Sequence, residues 1–320
     1  MIALVAGVVY EQLGERSDRE RLPRIGRAVD IGGRSLNLFC SGKGTPAVIF
    51  DSGNGQPGYA WSSIQSEIAK DTQACWFDRA GLGWSDPGPF PRTSGATSRD
   101  LHVLLHRAGI PAPYILVGHS LGGLDARVYN GMYPTELSGM VLVDAAHEDE
   151  ARRAPASMLG RTAPRIFWHP IWIAAQFARL AGIIRLTTPR PTVAESGSGL
   201  TRQQIVDALR RQPKSIATLA DATEPESYRE AESAGGFGDR PLIVLTRGKM
   251  PDLSNPSEFD REYAAYQEVW MHEIQPKLAR LSTRGRQIIV ENSGHDIPDE
   301  APEAIIAAVR DVLAEARSRS

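Results

Sequence analysis

The stretch Gly118-His119-Ser120-Leu121-Gly122 sets a serine between two glycines, directly after the apolar run "YILVG" and before a helical stretch that starts near Leu121. A serine hydroxyl can attack a carbonyl when a sharp strand-to-helix turn lifts it clear of a sheet. Such a turn strains the backbone of its middle residue, and glycines two places to either side remove the side chains that would clash there. The helix start beyond it aims free N–H groups at a developing oxyanion. A capping serine at a glycine-rich helix entry has the same five residues, so the weight lies on the strand–turn–helix setting.

A hydroxyl is a weak nucleophile without a base. Of the seven histidines, His102 and His106 fall in an amphipathic helix, and His169 and His272 lie in helical segments. His147 follows a strand among acidic residues and reads as an exposed loop histidine. His119 adjoins the serine but points away from it, which suits packing. His295, in "IIVENSGHDIP", lies in the loop after the last strand, where a base is required. The acid that orients it must leave a strand end on the same sheet edge. Asp144 ends "GMVLVDAA" at a strand tip, whereas Asp252 lies several residues past "PLIVLTRG". The shorter, stiffer presentation favours Asp144, with Asp252 the alternative and Asp296 a solvated neighbour.

A second glycine loop, Gly53-Asn54-Gly55-Gln56-Pro57-Gly58, is a literal G-x-G-x-x-G after the strand "AVIFD". A dinucleotide site would want an acid about 20 residues on, a role open to Asp71 or Asp78. A hairpin precedes the strand, however, and Pro57 interrupts the run of donors. The loop reads better as half of an oxyanion hole, with the backbone N–H groups of Asn54 and Leu121 as the two donors.

The elements that must position these groups alternate along the chain. "RAVDIGG" and "SLNLFCSG" form a hairpin about Gly32-Gly33. The apolar runs "PAVIFDSG", "QACWFDRAG", "YILVG", "SGMVLVDAA", "RPLIVLTRG" and "RQIIVENSGH" read as strands separated by helical segments, with a final helix in "APEAIIAAVRDVLAEAR". This rhythm predicts an α/β fold, a mostly parallel twisted sheet with helices on both faces. Between residues 149 and 236 the pattern becomes helical, as expected of a cap. The chain therefore divides into an N-terminal segment (1–22), a first core part (23–148), the helical cap (149–236) and a second core part (237–320).

Composition narrows the function classes. Of 320 residues, 42% are apolar and 23% charged, and the net charge is −2, so no global field favours nucleic acid. Arginines are interleaved with Asp and Glu as solvated faces. Two cysteines, Cys40 and Cys75, are too few for a zinc cage and are either two buried thiols or one disulfide. The opening "MIALVAGVVY" is too short to span a bilayer; it reads either as a packed element or as the remnant of an anchor or signal.

With Gly53 to Gly55, "DRAGLGWSDPG", "GHSLGG", "VLVD" and "SGH" in this order, residues 27–148 and 237–318 resemble the α/β-hydrolase fold family, in its branch of capped serine esterases. The resemblance implies Ser120 as nucleophile and His295 as base; the family's usual acid, past a Gly after the penultimate core strand, is displaced here, and Asp144 matches the position after the strand following the elbow, where some members carry it. It puts Asp51-Ser52-Gly53-Asn54 where the family carries its usual His-Gly oxyanion motif. It sets the strands of Cys40 and Cys75 side by side, so that a disulfide is possible, and its anchored members suggest weak membrane association through the N-terminus. An extracytoplasmic or membrane-associated setting is favoured over a cytoplasmic one.

The expected activity is cleavage of a carboxylic ester through an acyl-enzyme, with no cofactor or metal. Lactonase, thioesterase, amidase and C–C hydrolase chemistries use the same triad. A serine argues against the epoxide hydrolases and haloalkane dehalogenases of this fold, which use an aspartate there. A ligand-binding receptor or pseudoenzyme is the non-enzyme alternative. Phe167, Trp168, Trp172 and Phe177 suggest an apolar acyl or aromatic group in the pocket, or simply pack the cap onto the core.

Overall fold

The computed structural model describes residues 2–155, 157, 168–187, 200–219 and 225–319. Its centre is an eight-stranded sheet in the order β1-β2-β4-β3-β5-β6-β7-β8. The strands are β1 (Arg27–Asp30), β2 (Ser35–Ser41), β3 (Ala47–Asp51), β4 (Ala74–Phe77), β5 (Tyr114–His119), β6 (Leu137–Val143), β7 (Leu242–Arg247) and β8 (Gly285–Val290). β1 and β2 form the hairpin, turning at Gly32 and Gly33 with φ of 105° and 83°, values costly for any residue with a Cβ. Asp30 accepts from both glycine N–H groups at 2.9 and 3.0 Å. β2 runs antiparallel to β4 with Cys40 opposite Cys75, and a disulfide joins them. From β4 to β8 every pairing is parallel.

Strands β3, β4, β5 and β7 are buried along their whole length, as their unbroken apolar runs require when both faces of a parallel sheet are covered. Successive side chains alternate between the two faces. Val48 and Phe50 of β3, with Ile115, Val117, Ile243 and Leu245, face a layer made by Trp61, by Ile64 and Ile68 of α2 (Ser62–Ile68), and by the final helix Pro302–Arg317 through Ile305, Val309 and Val312. Ile49, Leu116, Leu142 and Val244 face the opposite layer, with Leu101, Leu104 and Leu105 of α3 (Ser94–Ala108) and Ala126 and Tyr129 of α4 (Leu121–Met132). α3 is punctuated at both ends: the Thr93 hydroxyl accepts from Ala96 N–H, and Gly109 ends the helix at φ 72°.

Among the described residues, every regular element between β6 and β7 is helical: Glu150–Arg153, Trp168–Leu180, Ile183–Thr187, Arg202–Arg210, Pro213–Leu219 and Pro225–Ser233. The N-terminal stretch is the helix α1 (Ile2–Arg21). It lies on the inserted helices, so close that a Cβ at Gly7 would sit 2.2 Å from the Ala181 carbonyl oxygen. Arg185 donates to Glu11 at 2.9 and 3.1 Å and to Asp18 at 2.8 Å. Among the described residues no helix is long and apolar enough to cross a membrane.

Candidate active site

Ser120 joins β5 to α4 with φ 53° and ψ −117°, a conformation that costs a non-glycine residue about 1–3 kcal/mol. The neighbours hold it there. Its N–H donates to Val143 O at 3.0 Å, and its carbonyl accepts from Gly123 and Ala146, each at 3.0 Å. Both flanking glycines are sterically required: a Cβ at Gly118 would lie 2.3 Å from Gly122 O, and one at Gly122 would lie 2.5 Å from Asp51 O. The Ser120 side chain makes no capping hydrogen bond to α4, which disposes of the plain capping role.

At the C-terminal edge of the neighbouring strands, Asp144 and His295 meet: Nδ1 of His295 lies 2.5 Å from Asp144 Oδ2. Asp144 follows β6 directly, fully buried and with φ 40°, a second strained residue. Its Oδ1 accepts from Trp270 Nε1 at 2.7 Å and Arg247 N at 3.2 Å, and its Oδ2 accepts from Arg247 Nη1 at 2.9 Å. Burial alone would raise the Asp144 pKa, but the Arg247 charge and the bonds from His295 and Trp270 bring it below the usual carboxylate value. Against an acceptor-only carboxylate His295 Nδ1 is the donor, so that in the neutral imidazole the lone pair lies on Nε2. Arg247 Nη1 lies 3.4 Å from that Nδ1, so two donors share one carboxylate oxygen. Glu150, its pKa raised by burial, stands in the field of Arg247 and His295.

His119 ties the two halves together. Its Nε2 donates to the backbone carbonyl of His295 at 2.9 Å, with the rings 4.8 Å apart. Burial, followed by the charge of His295, lowers its pKa to about 4, so it stays neutral. A Cβ on Gly53 would stand 3.0 Å from His119 Nδ1 and 3.5 Å from Ser120 Cβ, so the second glycine loop runs against the serine turn. Arg79 clamps that loop from behind. Its guanidinium donates to Asp51 Oδ1 at 2.8 Å, to Ser52 O, and to Gly53 O at 2.6 Å. In a trans peptide the N–H points opposite to the C=O, so Asn54 N–H is turned away from Arg79. Asn54 itself is exposed, and Leu121 opens α4.

Asp252 is exposed and spends its oxygens on Ser254 N at 2.8 Å and Ser254 Oγ at 3.1 Å, so it orients its own turn and not His295. Asp296 is exposed. Asp78 is buried and accepts from Gly58 N at 2.7 Å, Trp84 N at 2.9 Å and Asn37 Nδ2 at 3.1 Å, which commits it to pinning loops. Asp71 pairs with Arg310 at the surface. His147 corrects the expectation of an exposed loop residue. It is only 4% exposed because the bidentate Arg127–Glu148 pair folds its turn inward, and its Nδ1 accepts from Asp149 N at 3.0 Å. Trp168 and Trp172 belong to the helix Trp168–Leu180, but their side chains and the whole of Phe167 lie outside the described residues; Phe177 is exposed.

Sequence reasoning missed Arg79, Arg247 and Trp270. Arg247 ends "IVLTR" one strand over from Asp144, a signal that could be read once the strand order is known. Trp270 lies in a π-helical turn and carries no such signal. A small cavity of about 20 Å³ beside the serine is lined by Ser52, Gly53, Gln56, Trp61, His119 and Asp296, among others.

A model of the alpha/beta hydrolase family matches residues 48–308. The chain belongs to this family, and the family supports an enzyme of the hydrolase class. The uncharacterized protein YbdG of Bacillus subtilis (strain 168) is 27% identical over 146 residues, 45% of this chain and 45% of that protein. The match thus spans less than half the length of that relative. A thermophilic esterase from Thermogutta terrifontis superposes with a TM-score of 0.58 at 20% identity, covering 92% of this chain and 99% of the other. The epoxide hydrolase CorEH superposes with a TM-score of 0.61 at 18% identity, covering 91% and 98%. Likeness at this level of identity defines the fold alone.

Proposed function

We propose that the protein is a serine hydrolase that cleaves carboxylic esters through an acyl-enzyme. The observation that carries this reading is the 2.5 Å contact of Asp144 Oδ2 with His295 Nδ1, at the strand edge where Ser120 makes its strained, uncapped turn. Ser120 Oγ attacks the ester carbonyl while His295 Nε2 takes its proton. Asp144 holds the ring in this tautomer and stabilises the imidazolium. The N–H groups of Leu121 and Asn54 receive the oxyanion, and His295 returns the proton to the leaving alkoxide. Water, activated by the same imidazole, then releases the acid. Serine at this position speaks against carrying over epoxide opening, for which this fold uses an aspartate.

The substrate is a small ester with an apolar acyl or aromatic group. The test is hydrolysis of p-nitrophenyl esters from acetate to decanoate by the wild type and Ser120→Ala. Turnover by the wild type and a loss of about 10⁴–10⁶ in kcat in the variant are expected, with the chain-length optimum sizing the pocket. Equal, negligible rates would favour a binding protein that kept the fold. The Cys40–Cys75 disulfide supports an oxidising, extracytoplasmic setting. Val5, Val9 and Leu13 stand exposed at four-residue spacing on α1, which supports weak interfacial attachment through the N-terminus. Liposome flotation of the full chain against a chain lacking residues 1–22 tests it, and equal flotation would refute it.

A further inference from the structure

His102 and His106, one turn apart on α3, converge on Glu136, which precedes β6. His102 Nδ1 lies 3.1 Å and His106 Nε2 2.8 Å from Glu136 Oε1, and the three donor atoms all fall within 4.8 Å of one another. A tetrahedral zinc ion with bonds of about 2.0–2.1 Å sets its ligands about 3.3 Å apart; both imidazoles already stand near that distance from Glu136 Oε1, and small side-chain rotations would close the set around an ion. The ligands are also oriented from behind. The Tyr133 ring stacks on His102 at 4.0 Å and 3°, and Tyr129 OH donates to Glu136 Oε2, the oxygen away from His106. Such supporting contacts are what keep a ligand set in place. The His106 side chain is 55% exposed, which leaves a path for the ion and a fourth position for water.

We propose that His102, His106 and Glu136 bind one divalent transition-metal ion of the zinc class. Two imidazoles and one carboxylate suit such an ion better than magnesium or calcium, which prefer all-oxygen shells. The site lies before β6, whereas Asp144 follows the same strand, so the metal ties α3 to the sheet at the edge opposite the reacting groups. Its role is structural, and it takes no part in the proposed hydrolysis.

Calorimetric titration of the chelator-stripped full chain with zinc chloride tests this, alongside His106→Ala and Glu136→Gln. The expected result is one zinc per chain in the wild type and at least tenfold weaker binding in each variant. Saturating zinc should also raise Tm by about a few degrees in the wild type but not in His106→Ala. Ester hydrolysis by His106→Ala should equal that of the wild type, which separates this site from the serine centre. No saturable one-to-one binding, or binding that survives either substitution, would overturn the proposal.

Discussion

Asp144 is held by four donors on two oxygens: His295 Nδ1, Arg247 Nη1, Arg247 N and Trp270 Nε1. If its task is to fix the tautomer of His295, Asp144→Asn should present an amide donor to Nδ1 and lower kcat by about 10⁴ with little change in KM. Asp252→Asn should leave both constants unchanged, and the reverse pattern in steady-state kinetics would reject Asp144. His119 supplies a stability prediction. Its pKa falls from 6.5 to about 4 on folding, so the unfolded chain binds the proton more readily. The stability it contributes is full above pH 6.5 and is lost as pH falls towards about 4, by about 3 kcal/mol at most. His119→Gln can keep a donor for the His295 carbonyl without titrating. The difference in urea-unfolding free energy between wild type and variant should therefore shrink across this window. The buried Asp51 and Asp125, whose pKa values burial raises, act in the opposite direction but equally in both proteins.

The serine turn and the glycine loop are separate elements, and Arg79 sets their relation. Its fork holds two successive carbonyls, Ser52 O and Gly53 O, together with Asp51. A lysine keeps the charge but not the fork. Arg79→Lys should lower kcat towards the 10²–10³-fold loss of a missing oxyanion donor, with KM nearly constant; an unchanged kcat would show that the loop holds itself. Much of this arrangement was legible in the sequence. Four core strands are near-continuous apolar runs because both faces are covered, and the Ser120 turn announces itself by glycines that steric contact demands. Asp144 could be chosen over Asp252 because a strand tip is a stiffer mount than a loop. The inward turn of His147, the clamp by Arg79 and the Trp270 bond depend on contacts between distant segments, which local pattern does not encode.

At the scale of the whole molecule, the hairpin β1–β2 is attached to the parallel sheet through the antiparallel β2–β4 pair, and the disulfide closes a sequence separation of 35 residues there. Closing a loop of this length removes unfolded-state entropy worth about 3–4 kcal/mol. Wild type unfolded in urea with a reductant should be less stable by about that amount than the oxidised protein, with the native far-ultraviolet spectrum retained. Equal midpoints would assign the stability of this edge to strand pairing alone. α1 and the inserted helices hold each other through Arg185, whose partners Glu11 and Asp18 lie in the N-terminal segment ahead of the core.

The central claim, an activated Ser120, is tested most directly by intact-mass spectrometry and peptide mapping after treatment with a fluorophosphonate. One adduct on Ser120 is expected, absent in Ser120→Ala and formed far more slowly in Asp144→Asn. A wild-type protein that stays unlabelled, or an adduct on another residue, would contradict it.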